Sequence, residues 1–107
     1  MDVVLQKIVD TFRDEQPEKI ILFGSRAYGD PRKDSDYDIC IIKSIGLDSF
    51  KEESLRLYKK LRRSLSNEIT DLVLYTPEQY EERKDIRLFV TYDISRKGIV
   101  LYEKGSH

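Results

Sequence analysis

Ile20-Ile21-Leu22-Phe23-Gly24-Ser25-Arg26 and, with ten residues between Ser25 and Asp36, Asp36-Tyr37-Asp38-Ile39-Cys40-Ile41-Ile42 are the stretches that decide this fold. Four apolar residues without alternation, stopped by a glycine, have the pattern of a short strand buried on both faces. The second run is rich in isoleucine and reads as another strand, opened by two acids. A polar loop containing Gly29, Asp30 and Pro31 separates them.

Outward from this pair, helices and strands alternate. Val4, Leu5, Ile8, Val9 and Phe12 recur at helical spacing, with Asp2 placed as N-cap and Pro17 marking the break. Ser49 with Glu52 predicts a capping box opening a helix to about Ser66, with Leu55, Tyr58, Leu61 and Leu65 on its core face. Ile69 to Tyr75 reads as a strand. Thr76-Pro77-Glu78-Gln79 carries a second helix start, with threonine at N-cap, proline at N1 and glutamine at N3. Ile86 to Ser95 is taken as helix, Gly98 as its end, and Ile99 to Tyr102 as a last strand. The expected fold class is α/β or α+β: a small mixed sheet of about four strands with flanking helices.

Composition narrows the function. At 107 residues the chain suffices for one domain and not for two. The expected domain runs over residues 1–104, and Gly105-Ser106-His107 has the look of an expression-tag remnant. Lys plus Arg number 19 against 20 Asp plus Glu, so the net charge of -1 offers no basic surplus for holding nucleic acid. No direct nucleic-acid partner is expected. The single cysteine, Cys40, excludes an internal disulfide and a Cys-rich zinc site. No apolar run reaches the ~20 residues of a membrane span, and no signal peptide is visible. A cytoplasmic domain without a membrane role is expected.

The chemistry concentrates around the two opening runs. Residues two apart on a strand share a face, with Cα atoms ~6.6 Å apart, so Asp36 and Asp38 aim their carboxylates together. Such a pair repels itself unless a cation sits between, and a few hard oxygens suit Mg²⁺. Asp71 interrupts the apolar strand Ile69-Thr70-Asp71-Leu72-Val73-Leu74. If that strand neighbours the Asp36 strand, three carboxylates converge, enough for two divalent ions in phosphoryl transfer. Gly24 lets backbone approach a ligand, Ser25 offers a hydroxyl, and Arg26 offers a planar charge to phosphate.

Gly24-Ser25, ten intervening residues, then Asp36-Tyr37-Asp38 resembles the signature of the nucleotidyltransferase superfamily typified by DNA polymerase β. The strings around it are similar to those of minimal nucleotidyltransferases of bacteria and archaea, over nearly the whole chain. The resemblance implies a nucleotidyltransferase fold that binds a nucleoside triphosphate on Gly24, Ser25 and Arg26. It implies two Mg²⁺ on Asp36, Asp38 and Asp71. Many such proteins are antitoxins that transfer AMP from ATP to a tyrosine of a HEPN toxin partner. That activity, a protein adenylyltransferase acting as antitoxin, is the expected function. The alternatives are an antitoxin that neutralises its toxin by stoichiometric binding, or a small-molecule nucleotidyltransferase.

Other residues have plainer readings. The cluster Arg56, Lys59, Lys60, Arg62, Arg63 is first a solvated helix face, and Cys40 a small core residue. Tyr28 sits in the phosphate loop, where packing outweighs base contact. His107, the sole histidine, is terminal, so no histidine general base is expected.

Overall fold

The computed structural model describes residues 2–30 and 35–105. Pro31 of the expected loop, Ser106 and His107 lie outside the described residues. Helix α1 (Val3–Phe12) precedes strand β1 (Lys19–Phe23), and a single helical turn, α2 (Ser25–Tyr28), leads to β2 (Tyr37–Ile42). Helix α3 (Phe50–Ser64) crosses to β3 (Thr70–Tyr75), followed by α4 (Pro77–Arg83), α5 (Val90–Lys97) and β4 (Ile99–Glu103). The strand order is β3-β2-β1-β4, with β1 antiparallel to both β2 and β4, and β2 parallel to β3. The mixed four-stranded sheet with flanking helices is therefore as expected.

Strand alternation sorts the core into two layers. Ile20, Leu22, Ile39, Ile41, Leu72 and Leu74 face α1 and α3, meeting Ile8, Phe12, Leu57 and Leu61. Ile21, Phe23, Cys40 and Ile42 face the other way, against Tyr80 of α4 and Ile94 of α5. β1 is buried on both faces, as its unbroken apolar run demands. Among the described residues no helix is long and apolar enough to cross a membrane.

Local signals set most of the boundaries. The Asp2 carboxylate accepts the Leu5 amide at 2.8 Å and caps α1. Thr76 and Gln79 exchange bonds of 3.1 and 3.0 Å, a complete capping box at α4. Gly98 ends α5.

Three expectations need correction. Ser49 makes no side-chain cap, because the chain already coils through a 3-10 turn (Leu47–Ser49) into α3, which ends at Ser64. The core stripe of α3 is Leu57 and Leu61, continued by Leu65, at a strict four-residue spacing; Leu55 is 53% exposed and Tyr58 half-buried. Residues 86–89 are turn rather than helix, with Phe89 as the N-cap of α5.

The basic residues of α3 divide between two jobs. Glu15 accepts Lys43 at 3.1 Å, Arg56 at 2.6 Å and Lys60 at 2.8 Å, while Glu53 binds Lys43 and Arg56 at 2.6 and 2.7 Å. This network joins the end of β2 and the turn after α1 to one flank of α3. The Arg56 hydrogen bond, ahead of the opposing effect of burial and aided by Lys43, brings the Glu53 carboxyl to about 2. Glu15 is lowered as well, with Arg56 again the largest cause. Both acids ionise more readily folded than unfolded, so their stabilisation is complete above their ordinary value of 4.5 and lost as pH falls. Melting temperature should therefore drop between about pH 4.5 and 2, and Glu15→Gln should flatten that part of the profile while lowering stability at neutral pH. An unchanged acid limb in the variant would exclude the network as its source.

Candidate active site

The turn after β1 is built around Asp38. Gly24 takes φ 75° and ψ −157°, a region essentially reserved for glycine. A Cβ there would land on the Asp38 carboxylate oxygen Oδ2, with Asp38 Cγ only 3.1 Å away. Ser25 then opens α2, in which the Ala27 and Tyr28 amides donate to the Gly24 carbonyl at 3.0 and 3.1 Å. The first residue of this single helical turn thus follows backbone packed against a carboxylate.

Arg26 is placed by contacts of its own. Its Nε donates to the Ser35 carbonyl at 2.9 Å, and its guanidinium lies 3.9 Å from the centroid of the Tyr37 ring. These ties span from the Gly24-Ser25 turn to the start of β2, on either side of Asp36 in the chain. A stacked, hydrogen-bonded guanidinium is held in one orientation.

Asp38 is the second residue of β2, with Phe23 of β1 as its partner on one side and Asp71 of β3 on the other. Neighbouring strands stand ~4.8 Å apart, so the in-register pair Asp38 and Asp71 is as close as the sheet allows. By strand alternation both belong to the face that carries Cys40, while Asp71, on the edge strand, also borders α3 beside Leu72. Asp36 lies just ahead of β2 and is exposed. Burial first, then the charges of Asp36 and Asp71, raise the Asp38 carboxyl above its ordinary value. The structure thus brings the three acids into one electrostatic neighbourhood.

Asp71 is exposed at the edge of the sheet, and its Oδ1 accepts the amide of Leu72 at 2.9 Å. The Tyr37 and Lys43 amides donate to the Ile69 and Tyr75 carbonyls, so odd residues of β3 pair with β2 and the Leu72 amide points outward. The Asp71 carboxylate therefore leans over the open edge. Among the described residues, no three acids, histidines or cysteines are gathered into a ready metal cage. Mg²⁺ takes much of its shell from water and phosphate and needs only a few protein oxygens. The donor chemistry fits that ion: hard carboxylate oxygens around an Asp38 whose ionised form a cation would favour.

Two further residues bear on the site. Lys97 Nζ lies 5.8 Å from the centroid of the Tyr28 ring, bringing the end of α5 to the turn. Nothing near Tyr28 in the sequence signals this contact. Cys40, two residues inward from Asp38, is fully buried, and burial pushes its thiol up to about 12. It is a core residue.

The geometry makes Gly24 intolerant of a side chain. Gly24→Ala should cost about 1–3 kcal/mol from backbone strain alone, with the displacement of Asp38 added. Denaturant unfolding measures the loss; a variant as stable as the parent would contradict the close approach.

The family model described as "Polymerase beta, Nucleotidyltransferase" matches residues 6–107. No curated protein matches the sequence significantly. Among solved structures, the chain is similar to one described as "toxin-antitoxin with AMP-PNP", with a TM-score of 0.62 and 24% identity over 94% of this chain and 74% of that one. It is similar also to a mutant of the toxin-antitoxin MntA-HpeT in which two aspartates, two positions apart, are changed to glutamate. There the TM-score is 0.61 and the identity 24%, with the same coverage. At that identity the likeness speaks for the fold, whereas the family model runs over nearly the entire sequence. On that match, this chain belongs to the polymerase β nucleotidyltransferase family.

Proposed function

We propose that this chain is a Mg²⁺-dependent protein adenylyltransferase that moves AMP from ATP to a tyrosine hydroxyl of a partner HEPN-type toxin, and so acts as its antitoxin. The observation that carries the reading is the placement of Asp38, between the glycine turn and the in-register Asp71. The similar solved structures are toxin–antitoxin complexes, one with AMP-PNP, and the mutated aspartates in the other have the spacing of Asp36 and Asp38.

In this reading Gly24 and Ser25 receive the triphosphate. Arg26 keeps the turn in shape through Ser35 and Tyr37, and adds its positive charge beside the phosphates. Asp36, Asp38 and Asp71 would hold two Mg²⁺, which when bound supply charge neutralisation for the phosphates and lower the acceptor hydroxyl's pKa. The acceptor oxygen attacks the α-phosphorus, its bond forming as the bond to the bridging oxygen breaks. Pyrophosphate leaves with that electron pair. The phenolic proton passes to Asp71, at the exposed edge, and from there to water.

Incubation with the product of the neighbouring gene, ATP and Mg²⁺ should add one or more AMP masses to a partner tyrosine and release pyrophosphate. Asp36→Asn should lower the rate about a hundredfold or more, the scale of losing a group that stabilises transition-state charge. Toxin neutralisation by Asp36→Asn equal to the parent's, with no mass shift on the partner, would replace the enzyme with a stoichiometric binder. Asp38→Asn, meanwhile, should leave the metal-free protein as stable or more so, since like-charge repulsion is relieved. It should also abolish the rise in melting temperature that Mg²⁺ with ATP gives the parent by mass action.

A further inference from the structure

The correction to α3 leaves Leu55 outside the core and Tyr58 only at its margin, packed against the core on one side. Leu55 is 53% exposed and Tyr58 half-buried, although both are apolar enough to belong inside. They line a groove of about 490 Å³ together with Phe50, Lys51 and, across the gap, Asp71 and Leu72 of β3. The volume is within the range of sites that take a side chain or small ligand. β3 is an edge strand, so the groove runs along an open side of the sheet. One end of it is Asp71, the acid whose carboxylate already leans over that edge.

Charge distinguishes the two flanks of α3. Arg56 and Lys60 are drawn to Glu15 on the far flank. Lys51, Leu55, Tyr58 and Arg62 follow one another at helical spacing on the groove side, and Lys51, Lys59 and Arg62 are exposed. The groove is therefore apolar on its floor, with Lys51 in its wall and Arg62 one turn beyond Tyr58 on the same helix, an arrangement that favours an aromatic side chain in an acidic setting.

We propose that this groove docks the acceptor: an acidic segment of the partner protein, whose tyrosine lies along Leu55 and Tyr58 with its hydroxyl at Asp71. The proposal rests on the nucleotidyltransferase reading above, since it assigns where that reaction's acceptor comes from. It places nucleotide and acceptor on different sides of the acids, the triphosphate by Gly24 and the phenol by the β3 edge. That arrangement lets the acceptor oxygen approach opposite the leaving pyrophosphate.

Docking and transfer can be read separately on the full chain. The probe is an acetylated, amidated acidic peptide with a central phenylalanine, which fills the groove without offering a hydroxyl. Amide NMR shifts at Phe50, Leu55, Tyr58 and Leu72 on titration support the proposal, as does their loss in Leu55→Glu and retention in Leu55→Met. With the tyrosine version, ATP and Mg²⁺, Leu55→Glu should raise the peptide KM about tenfold or more and leave ATP affinity unchanged. The exposed position of Leu55 keeps the variant folded, which its melting temperature checks. Groove shifts without AMP transfer would sustain the docking site and refute the nucleotidyltransferase reading. Transfer with an unchanged KM in Leu55→Glu would refute the groove alone. So would absence of groove shifts at millimolar peptide, groove shifts produced by ATP, or self-association that Leu55→Glu abolishes.

Discussion

A carboxylate half withdrawn from water, with two other negative charges beside it, is the costly feature around which this protein is arranged. Asp38 has Gly24 backbone pressed against it, Phe23 and Asp71 as strand partners, and Asp36 two residues before it. Each neighbour makes the ionised form less favourable, by removing water or by adding like charge. Such an arrangement gains nothing for the metal-free fold. It is what a site looks like when the compensating positive charge arrives with a ligand, and it explains why the unusual Gly24 backbone is tolerated at this turn.

The parallel β2–β3 pair is the second determinant. Parallel strands need a crossover, and α3 supplies it. The register sets Asp71 beside Asp38, and a slip of one residue would put the two carboxylates on opposite faces of the sheet. The Thr76 capping box fixes where β3 stops, while the Glu15 network fixes α3 relative to the end of β2. Structure far from the acids thus sets the distance between them.

Much of this was legible in the sequence where a residue type has one local meaning. Ile20 to Phe23 before Gly24 read as a buried strand, Thr76-Pro77 as a helix start, Asp2 as a cap, and each is found so. The adjacency of Asp38 and Asp71 was conditional on strand order, which periodicity does not contain. The errors arose where two local patterns compete. Leu55, Tyr58, Leu61 and Leu65 form a plausible helical face, but so do Leu57, Leu61 and Leu65, and only packing against β2 and β3 chooses between them. Ser49 with Glu52 is a valid capping pattern that a preceding 3-10 turn overrides. Arg26 was legible as a cation near phosphate, whereas its stacking on Tyr37 depends on how the intervening loop returns.

Cys40 gives the molecule a built-in reporter. The chain's single thiol lies in the second strand of the sheet's interior, two residues from Asp38, sealed from solvent on the α4–α5 face. Burial both shields the thiol and disfavours its thiolate, so alkylating reagents reach it slowly while that face stays packed. Its labelling rate therefore reports openings of the layer formed by β2, α4 and α5, with no cysteine to remove or introduce. Because β2 carries Asp38, any ligand that ties the acids together must slow that labelling. The protein can be surveyed for what it binds with a maleimide and a mass spectrometer, before any substrate is known.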